Sequence, residues 1–341
     1  MKKEVESIFT SAVLHQGAAQ YSVELESLKE LAGFENFIYS GEAHGKTIVL
    51  RYCHSSHRTM EQIDAEMDWL HYLKRNGAAV CGPLPSVNGR LAEEIAVDGS
   101  EFYLSAFEMA EGKHVDINTN KENTTFFYRW GKAIGELHRL TKDYQPSAGT
   151  ARRDDYMEMS SEVFADFLPD DPTLKQEVNH LIEVITALPK HSANYFLTHT
   201  DLHSGNFYYN GKRLWLFDFD DCAYHYLVHD LAMPLYYSLW KFTGTSTEQQ
   251  AFAETFFTSL LAGYLSEYEL SLLEIENLPL FLRLRDCDLF AILQKEWHGE
   301  MTEKQENMLS RMRHRIVQQQ PVIDLPYETL YQAAKKMINQ Q

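Results

Sequence analysis

The chain has 341 residues, enough for two compact units at roughly 100–200 residues per domain. Hydrophobic residues make up 44% and charged residues 23%, the balance of a globular protein with a substantial core. A formal net charge of −18 argues against a general nucleic-acid binder, which needs Lys and Arg to displace phosphate counterions, while it serves solubility and can steer a cationic substrate.

The first third reads as strands and the remainder mainly as helices, so the change of period marks a boundary near residue 110. Asn36–Ser40 and Thr47–Tyr52 read as paired strands joined by a turn within Gly41–Gly45. Met60, Ile63, Met67, Leu70 and Leu73 then recur at helical spacing. Glu66 falls on that apolar stripe, where a buried carboxylate needs a partner. After Pro83-Leu84-Pro85, a second hairpin is expected from Arg90–Val97 and Glu101–Glu108 across an Asp98-Gly99 turn. Met109–Gly112 reads as a short connection.

An amphipathic helix is expected over Thr124–Thr141, with Phe127, Trp130, Ile134 and Leu137 on its apolar face. Gly131 and Gly135 would let another element approach closely. Further helical patterns cover Pro172–Leu188, Val228–Phe242, Glu248–Ser266, Ser271–His298 and Glu303–Gln318. Between the first two of these, Asn210-Gly211 predicts a type I′ hairpin that folds Leu214–Phe217 back along Phe207–Tyr209. Asn206, Asp218 and Asp201 would then gather at one hairpin end, as oxygen ligands suited to magnesium.

The spacing His199-x-Asp201-x-x-x-x-Asn206 matches the kinase catalytic loop H-x-D-x-x-x-x-N. In that template the Asp accepts the proton of the attacking hydroxyl and the Asn holds a magnesium ion. Asp218-Phe219 corresponds to the start of the metal-binding D-F-G.

Thr198 to Asp221, followed by His229-Asp230-Leu231-Ala232, resembles the aminoglycoside phosphotransferase and choline kinase superfamily. Type II homoserine kinases and bacterial stress-response kinases share that likeness. It extends in outline through Leu31 to Tyr39, Ile48 to Arg51 and Gly135-Glu136-Leu137-His138. The resemblance implies an α+β, protein-kinase-like fold of two lobes. A small antiparallel sheet with one helix over 1–108 would join, through a hinge at 109–113, a larger helical lobe over 114–341. ATP and Mg2+ are the implied cofactors.

By the same resemblance Asp201 is the catalytic base, Asn206 and Asp218 bind magnesium, and Asp220 lies near the metal. His199 braces the loop, and Asp230 ties it to the following helix. Glu66 would pair with Arg51, which contacts the nucleotide phosphates, and adenine would use the backbone of Glu108 and Ala110 within Phe107–Ala110. Arg51 stands where protein kinases carry Lys, and its planar fork is not equivalent to an ammonium. The nucleotide loop has the single glycine Gly33, Asp220 replaces the glycine of D-F-G, and no A-P-E segment follows.

The expected acceptor is an alcohol of a small molecule, such as a cationic amino alcohol or an aminoglycoside-like compound. Asp154, Asp155 and Glu158, with Tyr224, Tyr226, Trp240, Glu296 and Trp297, are candidates for its pocket, through ion pairs and cation–π contact. Protein Ser/Thr phosphorylation and a catalytically dead nucleotide-binding module are the alternatives. Cys53, Cys81, Cys222 and Cys287 form no CxxC or zinc spacing, which fits a reducing cytosol. Met1 to Gln20 lack the apolar core of a signal peptide, and no stretch approaches the roughly 18–20 apolar residues of a membrane span. A cytoplasmic protein with no membrane or nucleic-acid partner is expected; its oligomeric state does not follow.

Overall fold

Alternating apolar residues in the first hundred positions build an antiparallel sheet with β1 (Lys29–Leu31), β2 (Phe37–Ala43), β3 (Lys46–His54), β4 (Pro83–Leu84), β5 (Ala92–Val97) and β6 (Ser100–Glu108). The computed structural model describes residues 3–31, 33, 35–97, 99–297, 299 and 301–340. Ala32 and Phe34 of the expected nucleotide loop, Asp98 of the second predicted turn and His298 at a predicted helix end lie outside the described residues. The chain divides into two units, and the first comprises the residues up to Gly112 with Tyr144–Arg153 and Trp215–Asp220.

In the first unit the strand order is β1-β2-β3-β6-β4, with β5 also pairing β6. The first predicted turn is tighter than expected. β2 continues through Gly41 to Ala43, and His44 and Gly45 turn the chain with φ of 52° and 75°. Positive φ at both central positions matches the twist of the flanking strands.

Three helices accompany the sheet: α1 (Lys3–Ile8), α2 (Ser11–Gln20) and α3 (Met60–Arg75). A capping box starts α3: Thr59 accepts from the Gln62 amide while the Gln62 side chain accepts from the Thr59 amide. Fixing that start fixes the phase, so Ile63, Met67, Leu70 and Leu73 are buried together with Glu66. Helix α2 was not anticipated. Its small residues lay no strong periodic stripe, yet Gly17 allows a close approach: a Cβ there would lie 2.5 Å from the Tyr52 ring. The Tyr52 hydroxyl donates to the Leu14 carbonyl at 2.8 Å.

The second unit comprises Lys113–Asp143, Asp154–Leu214 and the chain from Asp221 onward. Its helices are α4 (Thr124–Thr141), α5 (Tyr156–Phe167), α6 (Pro172–Thr186), α7 (His229–Lys241), α8 (Ser246–Leu265), α9 (Leu272–Glu276), α10 (Leu278–Glu296), α11 (Glu303–Val317) and α12 (Tyr327–Ile338). Strand β7 (Tyr195–Thr198) is followed by β8 (Phe207–Tyr209), β9 (Leu214–Leu216) and β10 (Ala223–Tyr226). β7 pairs antiparallel with β10, Thr198 opposite Ala223. The predicted helix over Ser271–His298 is two helices that meet at Asn277. Pro279 explains the break, because it lacks an N–H and fits only a first helical turn. Helices α5 and α12 and the β7–β10 pair escaped the periodicity argument.

Helices α4 and α8 approach backbone to backbone. A Cβ on Gly131 would lie 1.7 Å from the Leu260 carbonyl oxygen, and one on Gly263 would lie 1.8 Å from the Tyr128 carbonyl oxygen. Among the described residues no helix is long and apolar enough to cross a membrane. Gly131→Val is expected to destabilise the protein by about 3 kcal/mol, because one helix must move off the other. Urea denaturation of both proteins measures this.

Candidate active site

In the second unit, β7 delivers the chain into the loop from His199 to Asn206. Thr200 has φ of 69°, a left-handed conformation that costs a β-branched residue about 1–3 kcal/mol. The loop is held there by Asp230, which is fully buried near the start of α7. Its Oδ1 accepts from the Thr200 amide at 2.7 Å, and its Oδ2 from the His199 amide at 3.0 Å. His138 of α4 adds Nε2 to Oδ2 at 3.0 Å. Thr200 Oγ1 donates to the Asp221 carbonyl at 2.8 Å, and His199 Nδ1 accepts the Asp201 amide at 3.3 Å. Burial pushes the Asp230 carboxyl up, but the His138 hydrogen bond and the neighbouring His138, His199 and His229 hold it below the usual carboxylate range.

This loop presents Asp201. Asn206 Nδ2 donates to the Asp201 carbonyl at 2.9 Å and to its Oδ2 at 3.0 Å. His203 Nε2 lies 3.3 Å from the same Oδ2, and Arg285 Nη2 lies 3.2 Å from Oδ1. The Gly205 amide donates to His203 Nδ1 at 2.8 Å, which turns Nε2 toward Asp201. Burial raises the Asp201 carboxyl, but the His203 side chain, Arg285 and the neighbouring His199 outweigh it and bring it to about 2. Asp201 is therefore ionised at neutral pH, and its side chain keeps 20% of its surface exposed.

The residues fit a hard cation. Because Asn206 spends its nitrogen on Asp201, its Oδ1 is the atom left to act as a ligand, and amide oxygens and carboxylates are what magnesium takes. Asp218 belongs to the first unit and holds φ of 65°, while Asp201 and Asn206 belong to the second. The expected type I′ turn before it is different. Only Gly211 of the Asn210-Gly211 pair takes positive φ, at 88°. The Asn210 side chain instead accepts from the Lys212 and Arg213 amides at 3.0 and 2.9 Å, an Asx turn that needs no left-handed Asn.

In the first unit, Arg51 and Glu66 form a two-pronged pair: Nη1 to Oε1 at 2.8 Å and Nη2 to Oε2 at 2.6 Å. The guanidinium lies over the Phe107 ring, 5.1 Å from its centroid. Its buried Nε has no hydrogen-bond partner among the described residues. Asp220 Oδ2 meets His57 Nε2 at 2.7 Å, and its Oδ1 lies 3.8 Å from Arg51 and 3.6 Å from Arg58. Burial raises the Asp220 carboxyl, but Arg58, the His57 hydrogen bond and Arg51 outweigh it and hold it well below the usual range. Cys53, His57 and Asp220 bring ligand atoms within 4.8 Å of one another. Two guanidinium cations share that space, which opposes a metal ion there. Arg153 fixes the backbone, donating to the carbonyls of Gln62 at 2.9 Å and Asp220 at 2.7 Å.

One expectation needs correction. The Glu108 amide donates to the Gly82 carbonyl at 3.0 Å, so it is not available to adenine, and its carboxylate pairs with Lys74. Ala110 lies half-buried just past the end of β6. The acids Asp154, Asp155 and Glu158 lie at the start of α5. Asp155 caps α5 through the Met157 amide at 3.1 Å and bonds the Tyr195 hydroxyl, Asp154 offers its carbonyl to the Tyr224 amide at 2.9 Å, and Glu158 is exposed in the first turn of α5. Tyr226 is buried and donates to the Leu188 carbonyl at 2.6 Å. Acids beside a helix start serve the helix.

His203, Arg285, Tyr237, His57, Arg58 and Arg153 are functional neighbours that the sequence reading did not single out. His203 carried a signal, two residues after Asp201 inside the loop motif. Arg285 carried no signal of its own, being one of four charged residues, with Arg283, Asp286 and Asp288, in the middle of α10.

Asp230→Asn should cost about 3 kcal/mol at neutral pH, because it places an NH2 against a backbone amide in a buried site. Since the folded-state value of Asp230 is depressed, its contribution is complete above the unfolded value of about 3.9 and is lost as pH falls through the folded one. Urea titrations should show a constant deficit from about pH 7 to 5, narrowing below about pH 4.

Residues 27–270 match the phosphotransferase enzyme family, APH. The amicoumacin kinase of Bacillus subtilis (strain 168) is 32% identical over 332 residues, covering 96% of this chain and 98% of that protein. A solved amicoumacin kinase in complex with AMP-PNP, Ca2+ and Ami superposes with a TM-score of 0.91 at 29% identity, covering 97% of this chain and all of that one (100%). A microcompartment-associated aminopropanol kinase shares the fold, with a TM-score of 0.72 at 20% identity over 91% of this chain and 98% of that one. The chain therefore belongs to the phosphotransferase enzyme family: it has the kinase-like fold of the aminoglycoside phosphotransferases and choline kinases, and it is a kinase.

Proposed function

We propose that this kinase transfers the γ-phosphoryl group of ATP, with magnesium, to an alcohol of a small molecule. The observation that carries the reading is the ionised Asp201 carboxylate, held by Asn206, His203 and Arg285 on the H-x-D-x-x-x-x-N loop. Asp201 orients the acceptor hydroxyl and takes its proton as the new O–P bond forms and the bond to the β-phosphate oxygen breaks, releasing ADP. A carboxylate of such low basicity contributes mainly by orientation, which suits a loose phosphoryl-transfer transition state. Asn206 Oδ1 and Asp218 would hold the metal, which neutralises phosphate charge when bound. Arg51, braced by Glu66, would supply positive charge on the phosphate side of β3. Adenine would rest against the connection after β6, through the carbonyl of Glu108 and the backbone of Ala110.

The relatives make amicoumacin the first acceptor to test. Cationic amino alcohols and aminoglycosides belong in the same panel, although Asp155, one of the acids first considered for a cationic group, caps a helix. Four free, buried cysteines support action in a reducing cytoplasm.

Transfer from labelled ATP to this panel and to model proteins decides the reading. Turnover of a small alcohol that requires magnesium, and that falls by roughly 10²–10⁴-fold in Asp201→Asn with ATP binding retained, is the expected result. Labelling of protein alone, or full turnover in Asp201→Asn, would overturn it. Asp218→Ala should weaken magnesium-dependent ATP binding; calorimetry with an unchanged magnesium dependence would remove Asp218 from the metal site.

A further inference from the structure

Resting on that reading, we propose that Arg285 is a positioning residue that fixes the Asp201 carboxylate so that Oδ1 receives the acceptor hydroxyl. The argument begins with the lone pairs. A carboxylate oxygen accepts about two hydrogen bonds. On Asp201, Oδ2 takes Asn206 Nδ2 at 3.0 Å and is crowded by His203 Nε2, 3.3 Å away. Oδ1 takes Arg285 Nη2 at 3.2 Å and no other hydrogen bond from the described residues. The place left for an incoming hydroxyl is therefore on Oδ1, beside the guanidinium.

Arg285 comes from α10, 84 residues beyond Asp201, and its side chain is only 12% exposed. Taking a guanidinium out of water costs several kcal/mol unless it is well paired. Its Nε donates to the Tyr237 hydroxyl at 3.1 Å, and its carbon lies 5.1 Å from the Tyr237 ring centroid. That same ring lies 4.6 Å from the ring of His203. The four side chains thus close a circuit within the second unit: Asp201 to Arg285, Arg285 to Tyr237, Tyr237 to His203, and His203 back to Asp201. Each oxygen of the carboxylate is gripped from a different element, which removes the soft rotation about its last torsion.

The charged and polar groups around Arg285 also include Asp288, which accepts from the Tyr156 hydroxyl at 2.7 Å. A guanidinium that merely neutralised buried Asp288 would be structural. The two roles separate experimentally, because only the positioning role moves Asp201.

The test uses the full chain with Arg285→Gln, Arg285→Lys and Tyr237→Phe. In a crystal structure of Arg285→Gln, the Asp201 carboxylate should rotate or split into two conformers. With magnesium-ATP and amicoumacin as the acceptor probe, kcat should fall about 100-fold in Arg285→Gln while KM for ATP stays within twofold. Arg285→Lys should recover part of that loss, since it keeps the charge but not the fork. Tyr237→Phe removes the hydroxyl that holds Nε and Nη2 and should give a smaller loss, which keeps the test open if Arg285→Gln does not fold. A kcat within threefold of wild type in both Arg285→Gln and Tyr237→Phe, or an unmoved carboxylate in the Arg285→Gln structure, overturns the proposal. Were the wild type inert toward every acceptor, the phosphotransferase reading would fail, and the crystal structure would still decide the role of Arg285.

Discussion

A carboxylate that never meets water sets the shape of the loop from His199 to Asn206. Asp230 receives the amides of His199 and Thr200 and the imidazole of His138, and only with those bonds in place is the left-handed turn at Thr200 sustainable. His138 depends in turn on α4, and its Nδ1 meets the Tyr264 hydroxyl of α8 at 3.0 Å. The backbone contact through Gly131 and Gly263 brings those helices close enough for that reach. Helix packing is thereby transmitted through one histidine and one aspartate to the position of Asp201.

The two units solve the same electrostatic problem in different ways. In the first, Asp220 is kept ionised by cations, with Arg51, Arg58 and His57 around it. In the second, Asp201 is kept ionised by His203, Arg285 and the neighbouring His199. A protein of net charge −18 spends some of its few basic groups where they fix acids rather than where they meet solvent. Low basicity at Asp201 is no handicap when the reaction needs a hydroxyl aimed more than it needs a proton removed early.

Local chemistry was legible in the sequence, and long-range chemistry was not. Glu66 on an apolar stripe demanded a cation, and the structure supplies Arg51 across 15 positions. Close packing at Gly131 followed from two glycines on one helical face. The loop motif gathered His199, Asp201 and Asn206 because their spacing alone carries the pattern. Arg285 and Tyr237 reach Asp201 only through the packing of α7 and α10, which no local period encodes. Asp155 shows a related limit: composition offers a charge, but only the local backbone shows that Asp155 is capping a helix. The Asn210 turn failed likewise, since one Asn can open a hairpin through its backbone or through its side chain, and here it uses the side chain.

The arginine on β3 carries a consequence for chemical labelling. A lysine facing the phosphates offers an amine, and nucleotide analogues with an acylating or aldehyde tail mark kinases by reacting with it. Position 51 offers a guanidinium that stays protonated at any working pH and is clasped by Glu66 on two nitrogens. Reagents of that kind have no nucleophile to find at this strand position, so any amine they marked would lie elsewhere than on residue 51.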